Sequence, residues 1–217
     1  MTTLHAELVL VRHGEAVCNV TGVAGGERGC TGLTELGRWQ AAQVAARLAR
    51  EHADRPFDVL YTSPRRRAAE TAAAIADRLG LPVLAEPGLR NPDHGSADGL
   101  PWAQARAGLT GSARHHPDRV PAPGAETWNG YLTRSATALR TIIERHPGRR
   151  ILVAGHRETV ETAQLAMVCH PDCAGRGPVG VVADHTGVTR WRHETDRHGY
   201  GTWLLAVHND IGHLAPD

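Results

Sequence analysis

Two short runs, Leu8-Val9-Leu10-Val11 and Ile151-Leu152-Val153-Ala154, contain no polar residue. A strand with one wet face alternates apolar and polar residues. A run without alternation has to be covered on both sides, as strands are in a parallel sheet held between two layers of helices. The first run leads into Arg12-His13-Gly14 and the second into Gly155-His156. Around them, strand and helix signals alternate. Thr34 is an N-cap for a helix in which Leu36, Ala41, Val44, Ala45 and Leu48 recur at helical spacing to about His52. Residues 57–61 read as a strand. Ser63-Pro64 then supplies an N-cap serine and a first-turn proline for a helix running to Leu79, with Gly80 as its stop. A short strand at 82–84, a helix from about Glu126 to His146, the strand at 151–154 and a helix from about Glu158 to Val168 follow. Two last strands, near 188–192 and 202–207, flank a polar turn at 196–199 and form an edge hairpin.

This order predicts an α/β fold: a three-layer sandwich with a mostly parallel central sheet, helices on both faces and the hairpin at the sheet edge. Residues 1–217 are expected to form one domain with a variable insertion at about 87–124. That stretch is rich in Gly, Pro, His and Asp, with one short helix near Trp102 to Ala107. Irregular stretches of this length commonly serve as lids or binding loops.

Charge is balanced, with 24 basic and 23 acidic residues. No basic stripe with interleaved aromatics is present, so nucleic acid is not an expected partner, nor is an anionic membrane. The first residues lack a basic segment followed by a long apolar stretch, and no apolar run approaches the roughly 20 residues that span a bilayer. The expected location is the cytoplasm. Cys18, Cys30, Cys169 and Cys173 make no disulfide framework. Cys169-His170-Pro171-Asp172-Cys173 is spaced like half a metal site, but no second cluster completes it, and the cysteines read as free thiols.

Ligands of open α/β sheets sit beyond the carboxyl ends of the strands. A lone histidine there is usually structural. Two at equivalent strand ends, each beside a glycine, point to chemistry. Arg12 precedes the first, and a third strand end leads into Arg65-Arg66-Arg67. Such a pocket suits a phosphoryl group. Guanidinium forks match phosphate oxygens. One neutral imidazole can attack phosphorus, and a second, protonated, can stabilise the equatorial oxygens. Cations oppose the dipole at a helix N-terminus, and a bound anion would relieve that conflict. Arg65 and Arg66 read as a solvated helix start.

Leu10-Val11-Arg12-His13-Gly14-Glu15, with Asn19 six residues after His13, resembles the signature of the histidine phosphatase superfamily, which includes cofactor-dependent phosphoglycerate mutases and many small phosphatases. In the same order, Leu33-Thr34-Glu35-Leu36-Gly37 with Gln40-Ala41 resembles that family's L-T-x-x-G-x-x-Q-A segment. Residues 63–72 resemble its S-P-L-x-R-A-x-E-T-A helix start, Gly124-Ala125-Glu126-Thr127 its G-G-E-S turn, and Val153-Ala154-Gly155-His156 its second histidine motif. By position, the resemblance implies His13 as the phosphorylated nucleophile, Arg12, Arg67 and His156 as a phosphate-binding ring, and Asn19 as an additional donor. It implies a supporting role for Glu15, and no metal or cofactor. The implied partner is a small phosphate ester, and the family resemblance allows a homodimer.

The pattern breaks at two places. The family's proton donor lies in a segment like L-x-E-x-x-x-G, and here that glutamate position holds Asn91, which has no carboxylic proton to give. Asp93 is the first replacement candidate, on the same loop. Glu158 is the alternative, since His156-Arg157-Glu158 resembles the phytase-like arrangement in which the acid follows the second histidine. A third outcome is an enzyme without a strong acid, restricted to good leaving groups. Arg157 also stands where small phosphatases of this family commonly have glycine, which makes Arg157, with His94, a candidate for substrate recognition. The segment at 89–102 lacks the E-R-H-Y-G-like sequence of the mutases, so hydrolysis is expected over phosphoryl transfer. A catalytically silent phosphate-binding protein is the competing reading from another class.

Overall fold

A computed structural model describes residues 3–107, 113–168 and 180–215. The Cys169 to Cys173 segment lies outside the described residues. Six strands form one sheet: β1 (Thr3–Arg12), β2 (Val59–Thr62), β3 (Val83–Ala85), β4 (Arg150–Gly155), β5 (Val188–Thr195) and β6 (Gly201–Asp210), in the order β3-β2-β4-β1-β5-β6. The first four are parallel. β5 and β6 form the expected antiparallel hairpin at the edge. Two one-turn helices, α1 (Val17–Val20) and α4 (Trp102–Ala105), lie in the connections between strands.

The apolar runs behave as their lack of alternation requires. Leu8 and Leu10 face one core with Ile151, Val153 and Trp191, covered by α5 (Trp128–Arg145) and α6 (Arg157–Val168) through Leu139, Ile142, Val160 and Ala163. Val9 and Val11 face the other with Leu60 and Leu152, covered by α2 (Glu35–Asp54) and α3 (Arg66–Leu79) through Val44, Leu48 and Ile75. Gly80 ends α3 in the left-handed conformation, φ 67°, where glycine alone carries no Cβ penalty. No helix among the described residues is long and apolar enough to cross a membrane.

Two local expectations are corrected. α3 begins at Arg66, not at Pro64. Ser63, one residue past β2, still donates its N–H to the Ala154 carbonyl of β4 at 3.1 Å, which keeps the chain extended there. β1 is also longer than its apolar run. It pairs with β5 from Thr3 to Val11, and its first half contains Glu7, a buried carboxylate that accepts hydrogen bonds from Arg55, Arg150 and Arg192 and lies 3.0 Å from Arg190. Glu51 closes the cluster from α2, 2.6 Å from the Arg190 guanidinium.

Because β4 lies between β2 and β1, the carboxyl ends of these three strands sit side by side. The His13 N–H donates to the Gly155 carbonyl at 2.9 Å, which sets the residue after β1 beside the residue after β4.

Candidate active site

The loop after β1 is braced from two helices. Glu15 accepts from the Thr34 hydroxyl at 2.8 Å, and its N–H donates to Gln40 at 2.8 Å. Gly37 presses so closely that a Cβ there would lie 1.9 Å from the Glu15 carbonyl oxygen, and one on Gly14 would lie 2.3 Å from the Gly37 carbonyl oxygen. Both positions therefore need glycine. From α3, Glu70 accepts from the Leu33 N–H at 2.8 Å and Thr71 from the Gly14 N–H at 3.1 Å. The spaced motif residues thus clamp one loop, with Glu15 in the supporting role expected of it.

That clamp fixes the His13 ring. Its Nδ1–H donates to the Gly14 carbonyl at 2.7 Å, which leaves Nε2 with the lone pair, and Nε2 accepts from Arg67 Nε at 3.0 Å. Arg67 also donates to the Gly25 carbonyl at 2.8 Å, so its fork is held across the pocket floor. The His156 ring centroid lies 5.4 Å from that of His13, edge to face. The two imidazoles are thus within the span of one phosphoryl group. His156 Nε2 pairs with the Ser63 hydroxyl at 2.8 Å, while its Nδ1 is buried without a partner. Arg12 Nε is likewise buried and unpartnered. Buried polar atoms are normally satisfied, and an oxyanion between these groups would satisfy both.

Burial, reinforced by the charges of Arg67, His156 and Arg12, pushes the His13 pKa well below 6.5. Burial, then Arg67, Arg65 and Arg12, does the same to His156. His13 is therefore a neutral imidazole at neutral pH, the form that can attack.

A cavity of about 310 Å³ opens in front of this group, walled by Arg12, His13, Asn19 and Arg67. His156 does not itself line the cavity. Asn19 accepts from the Ala16 N–H at 3.0 Å through its side-chain oxygen. Residues 87–124 form the outer wall, through His94 and Trp102 among others, with Trp128 from the start of α5 and Arg157 and Glu158 from the start of α6. His94 is half-buried, packs edge-on to Trp102 at 5.2 Å, and meets Asn91 at 3.2 Å. Arg157 is exposed at the rim.

The two carboxylate candidates differ in their surroundings. Asp93 lies exposed on the rim, and its carboxylate accepts from the Gly95 N–H at 3.0 Å in a local turn. Glu158 is half-buried, and its charge is felt at Arg12, His94, Arg114 and Tyr131 across the cavity.

Arg65 is the clearest departure from the sequence reading. It is buried, with Nε donating to Asn91 at 3.3 Å and a terminal nitrogen on Glu27, whereas Arg66 is exposed as expected. The neutral Asn91 stands where the family has an acid, and Arg65 holds its oxygen. The delayed start of α3 turns Arg65 inward, a consequence no local propensity signals. Ser63 was legible only as a helix cap, and its contact with His156 depends on β2 and β4 being neighbours. His185, 5.8 Å from His13 ring to ring, carries no motif at all.

The family model for the histidine phosphatase superfamily (branch 1) matches residues 8–203. A metal-independent phosphoserine phosphatase from Arabidopsis thaliana is 30% identical over 215 residues, which is 96% of this chain and 83% of that protein. A 2,3-bisphosphoglycerate-dependent phosphoglycerate mutase from a Methylobacterium strain is 33% identical over 168 residues, 74% of this chain and 79% of the relative. Among solved structures, a mycobacterial glucosyl-3-phosphoglycerate phosphatase superposes with a TM-score of 0.73 at 25% identity, covering 94% of this chain and 99% of the other.

Proposed function

Since this chain belongs to the histidine phosphatase superfamily and is a phosphatase, we propose that it hydrolyses a small phosphate monoester through a phosphohistidine formed on His13. The observation that carries the reading is the fixed tautomer. The Gly14 carbonyl holds the proton on Nδ1, so Nε2 carries the lone pair and points at the arginine fork. As a phosphoryl group enters, Arg67 shifts its Nε–H from His13 to a phosphoryl oxygen and Arg12 offers its unpaired Nε–H. Nε2 attacks phosphorus in line, the ester P–O bond breaks, and the leaving oxygen takes a proton. Water then attacks the phosphohistidine, the P–N bond breaks, and inorganic phosphate leaves. Both steps use donors already aimed at the developing charge, the usual source of large rate gains.

For the proton we assign Glu158 ahead of Asp93. Both line the cavity, but Glu158 is half-buried and its charge acts on Arg12 and His94, while Asp93 is exposed and engaged in a local turn. General acid catalysis is typically worth about 10² to 10⁴ in rate. Glu158→Gln should therefore slow hydrolysis of alkyl phosphates by about that factor and spare p-nitrophenyl phosphate, whose leaving group needs no proton. Equal losses on both substrate types, or a loss with Asp93→Asn alone, would refute the assignment.

Arg157 and His94 are assigned to recognition of the remainder of the ester, because both line the cavity beyond the arginine fork. Arg157→Ala is expected to change the ranking of esters in a panel by about ten-fold for those with a second anionic group, the scale of one charge-assisted contact. An unchanged ranking counts against this role. The test of the function itself is a phosphate-release screen over diverse monoesters. Free phosphate is measured against phosphate transferred to added alcohols, because a mutase is among the relatives.

A further inference from the structure

Arg12 is gripped by a segment that the motifs do not reach. The loop before β5 lays its backbone along the strand end. The Thr186 N–H donates to the Arg12 carbonyl at 3.0 Å, and the Arg12 N–H donates to the Gly187 carbonyl at 3.3 Å. The same loop takes both ends of the guanidinium fork. One terminal nitrogen donates to the Ala183 carbonyl at 2.5 Å and the other to His185 Nε2 at 2.8 Å. With both terminal nitrogens engaged, Nε is the guanidinium atom left buried and unpaired.

The loop is held in this shape against a local cost. Thr186 sits at φ 58°, a left-handed conformation that a β-branched residue rarely adopts. Such strain persists only where the surroundings over-determine it, and here they do. Asn209 on β6 accepts from the Asp184 N–H at 2.7 Å and donates back to the Asp184 carboxylate at 2.8 Å. The Thr186 hydroxyl pairs with His213 at 3.0 Å. A Cβ on Gly187 would lie 2.2 Å from the Asn209 side-chain oxygen, so the contact requires glycine.

We infer that His185 is a positioning residue for phosphate binding: it accepts a hydrogen bond from Arg12 and so orients the guanidinium to present Nε to the phosphoryl group. The role requires a ring nitrogen with a free lone pair. Burial, then the charge of Arg12, against the opposing pull of Asp184, lowers the His185 pKa to about 4, so the ring is neutral at working pH. With Nε2 accepting from Arg12, its proton resides on Nδ1. The groups facing the ring are Arg12, His13 and the Asn19 side-chain oxygen, which lies 3.3 Å from Nε2 but, being an acceptor, makes no hydrogen bond with it in this tautomer. This inference rests on the phosphatase reading, since a phosphoryl group gives the orientation its purpose.

The test compares wild type, His185→Phe and His185→Gln. Phenylalanine keeps a ring against His13 and removes the acceptor, and glutamine restores an acceptor. The readouts are the dissociation constant for inorganic phosphate by calorimetry, KM and kcat for p-nitrophenyl phosphate, and the thermal midpoint. His185→Phe should weaken phosphate binding and raise KM about ten-fold with a midpoint within a few degrees of wild type, as expected for loss of one charge-assisted hydrogen bond. His185→Gln should return both constants to within about three-fold of wild type. A folded His185→Phe with wild-type phosphate affinity, or a His185→Gln as weak as His185→Phe, overturns the inference. Should His185→Phe fail to fold, the ¹⁵N spectrum of the wild type decides. The His185 Nε2 signal should be that of an unprotonated acceptor at pH 7 and should shift on adding phosphate, and a protonated Nε2 refutes the role. A wild type that binds phosphate but releases none from any ester counts against the phosphatase reading, whereas the His185 result is read from affinity and spectrum.

Discussion

His13→Ala should reduce phosphate release from every ester by at least about 10⁴-fold, because loss of an attacking group leaves only the contribution of the binding and oxyanion-stabilising groups. The same variant should fail to retain label from a ³²P-ester after a rapid acid-free quench, while the wild type retains it. The pH dependence gives a second handle. Burial among Arg67, His156 and Arg12 lowers the His13 pKa, so the attacking form persists as pH falls through 6.5. The acidic limb of kcat/KM then lies below that value. An inflection near 6.5 would mean that His13 titrates as an exposed imidazole and would contradict the geometry. Turnover by His13→Ala at near wild-type rates would remove the phosphohistidine altogether.

Glu7→Gln should cost about 3–5 kcal/mol of stability, the usual consequence of removing one member of a buried ionic cluster and stranding its partners. Arg150 and Arg190 are both buried, and Glu7 is the carboxylate they share with Arg55 and Arg192. For a chain of 217 residues, each kcal/mol moves the thermal midpoint by about 2–4 °C. A drop of roughly 6–20 °C in calorimetry is therefore expected. Burial acts to raise the Glu7 carboxyl, but hydrogen bonds from Arg55 and Arg150 and the charge of Arg190 outweigh it and hold the pKa at about 2. The sign follows from linkage. The unfolded carboxyl takes up its proton near 4.5, before the folded one does, so this stabilisation is complete above about 4.5 and is lost as pH falls toward 2. The depressed His13 and His156 begin the decline earlier, because below 6.5 the unfolded chain binds protons that the folded one refuses. A Glu7→Gln protein with an unchanged midpoint at pH 7 would show that the arginines are already satisfied by solvent and Glu51.

The strand ends and the helices were largely legible because they follow from local constraints. Leu8 to Val11 could only be a strand covered on both faces, Thr34 and Gly80 are readable caps, and His13, Arg67 and His156 stand at strand ends or the first turn of a helix. Glu7 was not legible. A carboxylate in a strand reads as a solvent-facing residue until its arginines, some more than 140 positions away, are placed around it. Arg65 failed for a related reason. Its side chain turns inward because the hydrogen bond from Ser63 to β4 delays the start of the helix.

The amino-acid order by itself determined which segments are strand or helix and singled out the motif histidines and arginines at their ends, since side-chain type, capping and hydrophobic period act over a few residues. Strand order was decided only by the tertiary structure. Inserting β4 between β1 and β2 sets His156 against Ser63 and beside His13. Packing of the loop before β5 against β6 aims His185 at Arg12. Those contacts depend on which sheet edges meet, a property of the whole buried surface that no short stretch of chain encodes.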